Sequence, residues 1–532
     1  MTMAVDRFGK ADFSIQDGWR VEHLLQPSRL YGANGIRAGA DGRIYVAQLA
    51  GCRVSAIDPD SGAIEHLSTS GSDILGPDDL VFDDAGNLFV TEFTENRVAM
   101  RSPDGRTRIL QGDVFGANPI TFHQGHLIAG ECRPDARIME LDRNGGAPRV
   151  IIDHVPMTNA FEVGPDGKLY FPVMETNEIW RVNLDGTGCE VVAGDLGVPD
   201  SVKFDSRGRI ISTQVGSGLV LRIDPQSGAR EVLADIGPGL DNSTFVNGRL
   251  FISHMTGSIH EILAPGELRE LNPKGLLWPM GVAASQDGSV YVADGSYAYI
   301  RPPGGTMALA GMLFTPGYPT FHRGVAPAGP GEWYVTTSTG EVRCWNPAAQ
   351  ANELLAEGYD RLMGIASAPD ETVVFAEYGK GRVLSLKDGA VTQLAEGLDQ
   401  PSGLAIGGDG TVYVTESGAG RVLALRGGKA ETVLDGLRLP EGIAIHGDQL
   451  FIVDVAAREL IACDTSGRGR TTIASGLPVG APAGPRKYLG PAGAFSGPMI
   501  SFAGLAAGPD GTLYFGADGN GSVMSLQPPA SH

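Results

Sequence analysis

Six residues able to hold a metal ion recur in the first half of the chain, about 40 residues apart. Each is an asparagine or an aspartate at the start of an alternating apolar segment. They are Asn34, Asp78, Asn118, Asn159, Asp200 and Asp241. Hard divalent cations such as Ca²⁺ prefer amide and carboxylate oxygens as ligands. A cation held in this way polarises a carbonyl or phosphoryl oxygen.

The same position in the second half of the chain has a different composition. It is occupied by Met280, Arg323, Met363, Ser402, Glu441 and Ala503. Asparagine and aspartate also favour turns, which would account for some members of the first set. Because the second half lacks the pattern, we expect a polar or metal-binding site in the first half. Asp78 and Asn242 are expected to line it.

A second set of polar residues ends the next apolar segment of most repeats. It comprises Gln48, Glu92, Glu131, Gln214, His254, Asp294, Glu377, Glu416 and Asp454. An arginine follows five residues after Gln48, Glu92, Glu377 and Glu416. Recurrence in both halves favours a scaffold role over catalysis. His254 differs because imidazole titrates near neutrality, so it is either a base or a structural histidine.

Other chemical signals are weak. His123 ends an inner segment and is expected to face the channel. The sequence contains no glycine-rich phosphate loop after a strand, no GxSxG motif and no HExxH motif. Nucleophilic-serine chemistry therefore has no motif to support it.

These residues belong to a repeat of about 40 residues. The units include DLVFDDAGNLFVTEFTENRV from residue 79 and GLAIGGDGTVYVTESGAGRV from residue 403. An Asp-Gly or Asn-Gly pair between two alternating apolar runs predicts a β-hairpin. Four short strands per unit are typical of a β-propeller blade. Twelve units predict an all-β fold of two six-bladed propellers, at 28–275 and 280–532; a split into seven and five has no support in the sequence.

The two ends of the chain suggest how the second propeller closes. The last unit ends at SVMSLQPPASH, one outer strand short. We expect the strand-like segment 18–27 to complete that blade, because an open blade leaves an unpaired sheet edge. The alternative is that this segment closes the sixth blade. An insertion at 477–502, rich in Pro, Gly and Ala, is expected to cover a propeller mouth or bridge the propellers.

Composition excludes several classes of protein. The 532 residues include 76 glycines and 34 prolines, which argues against a helical bundle. The net charge of −21 disfavours nucleic acid and anionic membranes as partners, so a small-molecule substrate is expected. The five cysteines show no CxxC spacing, and the N-terminus has no signal-peptide pattern. We expect a cytoplasmic protein without disulfides, and the sequence gives no oligomeric state.

With the repeats aligned, the chain resembles the gluconolactonase or senescence marker protein superfamily, present as two tandem propellers. This superfamily includes paraoxonase-like and diisopropyl-fluorophosphatase-like propellers. The motifs are NPITF at 118, NAFEVGPDG at 159 and DSVKF at 200. The resemblance implies one divalent cation on a Glu, two Asn and an Asp. The last three map to Asn118, Asn159 and Asp200, whereas Asn34 replaces the glutamate and Asp78 or Asp241 restores the charge.

The resemblance implies a metal-dependent hydrolase of a lactone, ester or related activated carbonyl. The cation would be Ca²⁺, with Zn²⁺, Mn²⁺ or Mg²⁺ as alternatives. Asp200 or Asp241 would act as the general base, with His254 in reserve. A lyase or a carbon–carbon hydrolase would use the same polarised carbonyl. Because the repeat is also similar to NHL repeats and streptogramin-lyase propellers, a non-catalytic binding protein is the alternative from another class.

Overall fold

A computed structural model describes residues 13–68, 73–480 and 502–529. Over these residues the fold is all-β, as predicted, with two 3-10 turns at Phe93–Glu95 and Tyr378–Lys380. No helix in the described part of the chain has the length and hydropathy needed to cross a bilayer. The five cysteines, all of them described, form no disulfide. Most of the predicted insertion, residues 481–501, lies outside the described residues.

The Asp-Gly turns explain why each repeat folds as hairpins. In the turn after Ile406, Gly410 adopts a φ of 80°, a left-handed conformation that glycine accepts without a Cβ clash. The Asp409 carboxylate accepts the Thr411 N–H at 3.0 Å and fixes the turn. The alternating apolar residues on either side then face the sheets on both sides of the blade.

Two strands precede the first sheet, β1 (Ser14–Ile15) and β2 (Arg20–Leu25). Residues Arg29–Gly275 then form one compact unit, here called unit 1. Its described residues form six sheets of four antiparallel strands. The first three sheets consist of β3 (Ile36–Ala38), β4 (Ile44–Gln48), β5 (Arg53–Ile57) and β6 (Ile64–His66); β7 (Pro77–Phe82), β8 (Leu88–Glu92), β9 (Arg97–Arg101) and β10 (Thr107–Gln111); and β11 (Ala117–His123), β12 (His126–Glu131), β13 (Ala136–Leu141) and β14 (Arg149–Val155). The next three consist of β15 (Glu162–Val163), β16 (Leu169–Val173), β17 (Glu178–Val182) and β18 (Glu190–Ala193); β19 (Pro199–Phe204), β20 (Ile210–Gln214), β21 (Leu219–Ile223) and β22 (Arg230–Asp235); and β23 (Leu240–Val246), β24 (Arg249–His254), β25 (Ile259–Ala264) and β26 (Glu267–Asn272).

Unit 1 closes into a ring through its own first and sixth sheets. Ile36 and Val46 of the first sheet pack with Val246 and Phe251 of the sixth in one buried apolar cluster. The first strand of each sheet is the inner strand, and neighbouring inner strands are joined by bonds such as Gly35 N–H to Asp78 O, at 2.7 Å. The inner strands therefore surround a central channel, as in a propeller.

The second compact unit, unit 2, contains the described residues 13–28, 276–480 and 502–529. Its described residues also form six sheets. The first three consist of β27 (Val282–Ala284), β28 (Val290–Asp294), β29 (Tyr297–Arg301) and β30 (Ala308–Met312); β31 (His322–Gly329), β32 (Glu332–Thr337), β33 (Val342–Asn346) and β34 (Ala351–Ala356); and β35 (Leu362–Ser367), β36 (Val373–Glu377), β37 (Arg382–Lys387) and β38 (Ala390–Ala395). The others consist of β39 (Pro401–Ile406), β40 (Val412–Glu416), β41 (Arg421–Arg426) and β42 (Lys429–Leu434); β43 (Pro440–His446), β44 (Gln449–Asp454), β45 (Glu459–Asp464) and β46 (Thr471–Ser475); and β47 (Leu505–Ala507), β48 (Leu513–Ala517) and β49 (Ser522–Gln527).

The N-terminal strands belong to the last two sheets of unit 2. Strand β2 pairs antiparallel with β49 and is the outer strand of the last sheet. Strand β1 pairs with β46 and gives the preceding sheet a fifth strand. Between them, Trp19 packs edge-on against Phe451, with ring centroids 6.3 Å apart. The segment therefore covers two sheet edges and part of the apolar core.

The channel of unit 2 is narrowed by small residues. The residue after each inner-strand start is glycine: Gly281, Gly324, Gly364, Gly403, Gly442 and Gly504. A Cβ added at any of these glycines would overlap a backbone carbonyl oxygen of the next sheet. At Gly504, in the sixth sheet, this oxygen belongs to Met280, at the start of the first sheet. The cavity that they line holds only about 40 Å³. Two residues further on, all six positions are alanine: Ala283, Ala326, Ala366, Ala405, Ala444 and Ala506.

Candidate functional site

The structure brings the six asparagine and aspartate residues to one end of the unit 1 channel, where they form what we call the mouth ring. Around the ring they make three amide–carboxylate pairs. Asn159 Nδ2 donates to Asp200 Oδ1 at 2.8 Å, and Asn34 Nδ2 donates to Asp241 Oδ2 at 3.3 Å. Asn118 forms the corresponding hydrogen bond with Asp78. Each carboxylate of the ring therefore has one neutral partner from the neighbouring sheet.

The three carboxylates of the mouth ring are buried and repel one another. Burial, together with the charge of Asp79, raises the pKa of Asp78 to about 8. Burial raises the pKa of Asp200 well above its usual value, and the charges of Asp78 and Asp79 add to this effect. The pKa of Asp241 is raised by burial and then by Asp200 and Asp78. These groups face a shared space that favours protons or a cation.

Hydroxyl groups on the second strands hold the mouth ring in place. Thr91 Oγ1 donates to Asn118 O at 2.6 Å, and Ser253 Oγ donates to Asn34 O at 2.7 Å. Unit 2 repeats the device, since Thr415 Oγ1 donates to Glu441 O at 2.7 Å. The sequence analysis missed these hydroxyls. Their signal is a serine or threonine directly before the polar residue that ends the second strand.

The polar residues that end the second strands bind the loop before their own inner strand. Glu92 Oε1 accepts the Leu75 N–H at 2.9 Å, and Glu416 Oε1 accepts the Asp399 N–H at 2.7 Å. Gln48 Oε1 accepts the Tyr31 N–H at 2.9 Å in the same way. Glu92 and Glu416 also pair with Arg97 and Arg421, respectively. These contacts support the scaffold interpretation in both units.

His254 occupies this scaffold position in the sixth sheet. Its Nε2 lies 2.9 Å from Pro238 O, and its Nδ1 accepts the Thr256 N–H at 3.1 Å. Burial lowers the pKa of His254 to about 4. Both ring nitrogens are engaged by structural contacts, so the structure favours the structural alternative and does not group His254 with the mouth ring.

A second layer lies one residue deeper in the unit 1 channel. Asn242 Nδ2 lies 3.4 Å from Asp79 Oδ1, while its own Oδ1 accepts the Ser243 N–H at 2.8 Å. Asp79 also accepts the Leu80 and Ile120 N–H groups. Asn242 therefore lies one residue below the mouth ring, and its Oδ1 makes the same contact as that of Asn159 in the ring, which accepts the Ala160 N–H at 2.8 Å. The sequence analysis did not single out Asp79, although two consecutive aspartates, Asp78 and Asp79, stand at this position of the repeat.

A third layer crosses the channel three residues after the ring. Arg37 of the first sheet reaches Glu162 of the fourth, with Nη1 and Oε2 3.1 Å apart. Lys203 Nζ lies 2.6 Å from the same oxygen, and Thr121 Oγ1 donates to Glu162 Oε1 at 3.0 Å. The sequence analysis missed this network. A comparison of the two halves of the sequence indicates it, because unit 2 has alanine at all six of these positions.

The mouth ring has the donor chemistry of a hard cation site. Asp200 Oδ2 is buried and accepts no hydrogen bond from the described residues. Three amides and three carboxylates surround the shared space, which suits an oxygen-binding cation such as Ca²⁺. Among the described residues, however, no three Asp, Glu, His or Cys side chains are grouped closely enough to hold a metal by themselves. A cation there would need the asparagine oxygens as well as the carboxylates.

One comparison with known protein families matches part of the chain. Residues 14–237 match the family described as SMP-30/Gluconolactonase/LRE-like region. This match includes the mouth ring from Asn34 to Asp200 but ends before Asp241. No curated protein matches the chain.

Solved structures similar to this chain include three β-proteins of about half its length. A streptogramin B lyase is 19% identical, with 52% of this chain and 94% of that chain covered and a TM-score of 0.38. The virginiamycin B lyase of Staphylococcus aureus is 15% identical, with 55% of this chain and 98% of that chain covered and a TM-score of 0.38. A gluconolactonase of Xanthomonas campestris is 17% identical, with 48% of this chain and 91% of that chain covered and a TM-score of 0.39.

Proposed function

We propose that unit 1 is a divalent-metal-dependent hydrolase of a lactone, ester or related activated carbonyl, because residues 14–237 match the SMP-30/Gluconolactonase/LRE-like family. The reaction takes place at the mouth ring. The observation that carries the proposal is the buried, unpartnered Asp200 Oδ2 beside two further carboxylates. Such oxygens are stable in an ionised state only when a cation faces them.

The cation would be held by Asn34, Asn118, Asn159 and Asp200. When bound, it polarises the substrate carbonyl and lowers the pKa of a water molecule. Ca²⁺ fits best because every donor is an oxygen. Asp78 and Asp241 supply the negative charge that Asn34 does not carry.

The protein residues position the water and accept its proton. Asp200 or Asp241 takes this proton as the general base, because both carboxylates border the shared space. Their amide partners, Asn159 and Asn34, orient each carboxylate through one hydrogen bond and leave the second oxygen available. His254 takes no part, since its nitrogens are engaged elsewhere.

Apolar residues beside the ring narrow the substrate class. Met174 Sδ lies 3.6 Å from Asn159 Nδ2. Burial, and then the nearby charges of Asp78, Asp200 and Asp241, raise the pKa of the Cys132 thiol. Phe93 is buried in the corresponding position of the second sheet. The residue that follows the second strand is therefore apolar in three consecutive sheets. A substrate with an apolar substituent suits this surface better than a polyhydroxylated sugar lactone.

The proposal is tested with the full chain and a matched pair of variants. Metal content is measured before and after chelation, and activity is assayed on alkyl lactones and aryl esters. Asp200→Asn is expected to lose bound metal and to lower kcat/KM about a hundredfold or more. Glu441→Gln, at the same position of unit 2, is the control and is expected to retain both.

Two results would contradict the proposal. Full turnover by chelated protein would remove the metal from the reaction. Metal binding without turnover of any lactone or ester would favour a lyase or a binding protein. Equal losses in both variants would show that the effect is on folding.

A further inference from the structure

A second cavity lies at the end of the unit 1 channel opposite the mouth ring. It holds about 430 Å³ and is lined by the far ends of the inner strands. Its polar side chains are Arg37, His123, Glu162 and Lys203, and its aromatic side chains are Phe204 and Phe245. Drug-sized ligands occupy pockets of about 300 to 1,000 Å³, so a small organic molecule fits this volume.

The cavity is separated from the mouth ring by the third layer. Arg37 spans the channel, because its guanidinium bonds both to Glu162 and to the Ile120 carbonyl, the latter at 2.8 Å. Arg37 Nε also donates to Leu80 O at 3.0 Å. A ligand in this cavity therefore contacts the third layer from the side that faces away from the mouth.

Two basic side chains and one acidic side chain line the cavity, namely Arg37, Lys203 and Glu162. Arg37 and Lys203 share one carboxylate oxygen, Glu162 Oε2, while the other oxygen accepts Thr121 Oγ1. Within the lining itself, two cations therefore face one carboxylate, while Asp79 lies behind Arg37 on the side of the mouth ring, with its Oδ2 3.6 Å from Arg37 Nη2. The Lys203 side chain is only 6% exposed, so water screens its charge weakly. Burial and then the charge of Arg37 lower the pKa of Lys203. A bound anion would raise this pKa and favour the charged ammonium.

The fold itself does not require these charges. Unit 2 has alanine at all six equivalent positions and still closes its ring of sheets. A buried charged network seldom stabilises a fold more than apolar residues of similar volume do, so stability alone does not explain why unit 1 has one. The contrast between the two units therefore points to ligand binding at this end of unit 1.

We propose that this cavity is a second ligand site, which binds a monocarboxylate with an apolar or aromatic body. The carboxylate lies at Lys203 and Arg37, which supply charged N–H donors. Phe204, Phe245 and Val163 supply the apolar walls for the body of the ligand. This site is independent of the reaction at the mouth ring, so either proposal can fail without the other.

Calorimetry on the full chain with benzoate tests the proposal. Benzoate is expected to bind with a Kd of about 0.1 to 1 mM. Benzamide, which has the same shape without the charge, and acetate, which lacks the ring, are both expected to bind at least about tenfold more weakly. Lys203→Met is expected to weaken benzoate about tenfold, whereas Asp200→Asn at the mouth ring keeps the wild-type affinity.

Hydrogen exchange on the wild-type protein locates the ligand even if Lys203→Met does not fold. Benzoate is expected to protect segments 162–164 and 202–204. Protection at the starts of the inner strands would assign benzoate to the mouth and overturn the proposal. It would also be overturned by equal affinity for benzamide, or by no binding at about 10 mM benzoate.

Discussion

At the scale of single residues, the mouth ring concentrates negative charge where water is scarce. Asp200 is fully buried, and Asp78 and Asp241 are almost so. Their three asparagine partners supply neutral N–H groups, which reduce the repulsion without cancelling the charge. Protons reduce this repulsion at low pH, and the proposed cation would reduce it at a pH where the carboxylates are ionised.

The melting temperature of the chelated protein is expected to fall as the pH rises from about 5 to 9. A carboxyl whose pKa is raised in the folded state stabilises the fold below its unfolded value, near 3.8, and this stabilisation is lost as the pH rises through about 8, the pKa of Asp78. Ca²⁺ requires ionised carboxylates, so the stabilisation by Ca²⁺ should grow over the same range.

Thermal melts with and without Ca²⁺ at several pH values check this expectation. Each kcal/mol corresponds to a shift of about 2 to 4 °C in a unit of this size. An Asp78→Asn variant should give a flatter pH dependence in the chelated state. A Ca²⁺ effect that does not depend on pH would show that the cation binds elsewhere.

Some of this site could be read from the sequence and some could not. The repeat register aligned Asn34 and Asp200 although 166 residues separate them, because every unit contributes its inner-strand start to the same end of the channel. The Arg37–Glu162 pair depends on which sheets face each other across a closed ring, which local pattern does not specify. The hydroxyls and the glycine–alanine pattern of unit 2 were present in the sequence and were overlooked.

At the scale of elements, the two units use the same inner strand in opposite ways. Unit 2 places glycine and alanine at the channel positions, so the inner strands approach until backbone meets backbone. Unit 1 has one glycine there, Gly35, but otherwise carries larger side chains, such as Asp79 and Ser201. The composition of one strand position therefore decides whether a unit has a narrow core or a chemically lined channel.

Gly403→Ala is expected to destabilise unit 2 by about 2 to 3 kcal/mol, because its Cβ would overlap the Glu441 carbonyl. Ser201→Ala, at the same position of unit 1, should cost only about 1 kcal/mol, since it loses hydrogen bonds such as that between Ser201 Oγ and Thr213 Oγ1, 2.7 Å apart. Denaturation is followed by fluorescence, with Trp180 reporting unit 1 and Trp333 and Trp345 reporting unit 2. Equal costs would mean that the glycine contacts are not tight.

At the scale of the whole molecule, unit 2 is assembled from two separated parts of the chain. Its last two sheets take strands β1 and β2 from the N-terminal side of unit 1. Ser28 and Leu276, which flank unit 1 in the sequence, are joined within unit 2 by a hydrogen bond from Ser28 Oγ to Leu276 O at 3.0 Å. Unit 1 is therefore an insertion whose entry and exit lie side by side.

Removing residues 1–27 is expected to destabilise unit 2 selectively. The deletion exposes the edges of β46 and β49 and removes Trp19 from the core. Hydrogen exchange should speed up in Ser522–Gln527, while metal binding at the mouth ring of unit 1 should persist. Removing only 1–12 keeps both strands and serves as the control. Unchanged exchange in β49 after the longer deletion would contradict the role assigned to β2.

Strand β2 can pair with β49 only after the ribosome has synthesised the residues between them. About 500 residues separate the two strands, and a ribosome adds about 5 to 20 residues per second. Strand β2 therefore waits about 25 to 100 s for β49, during which all of unit 1 is translated and can fold. Throughout this interval β2 has an unpaired edge, and such an edge is a template for wrong strand pairing until β49 has been made.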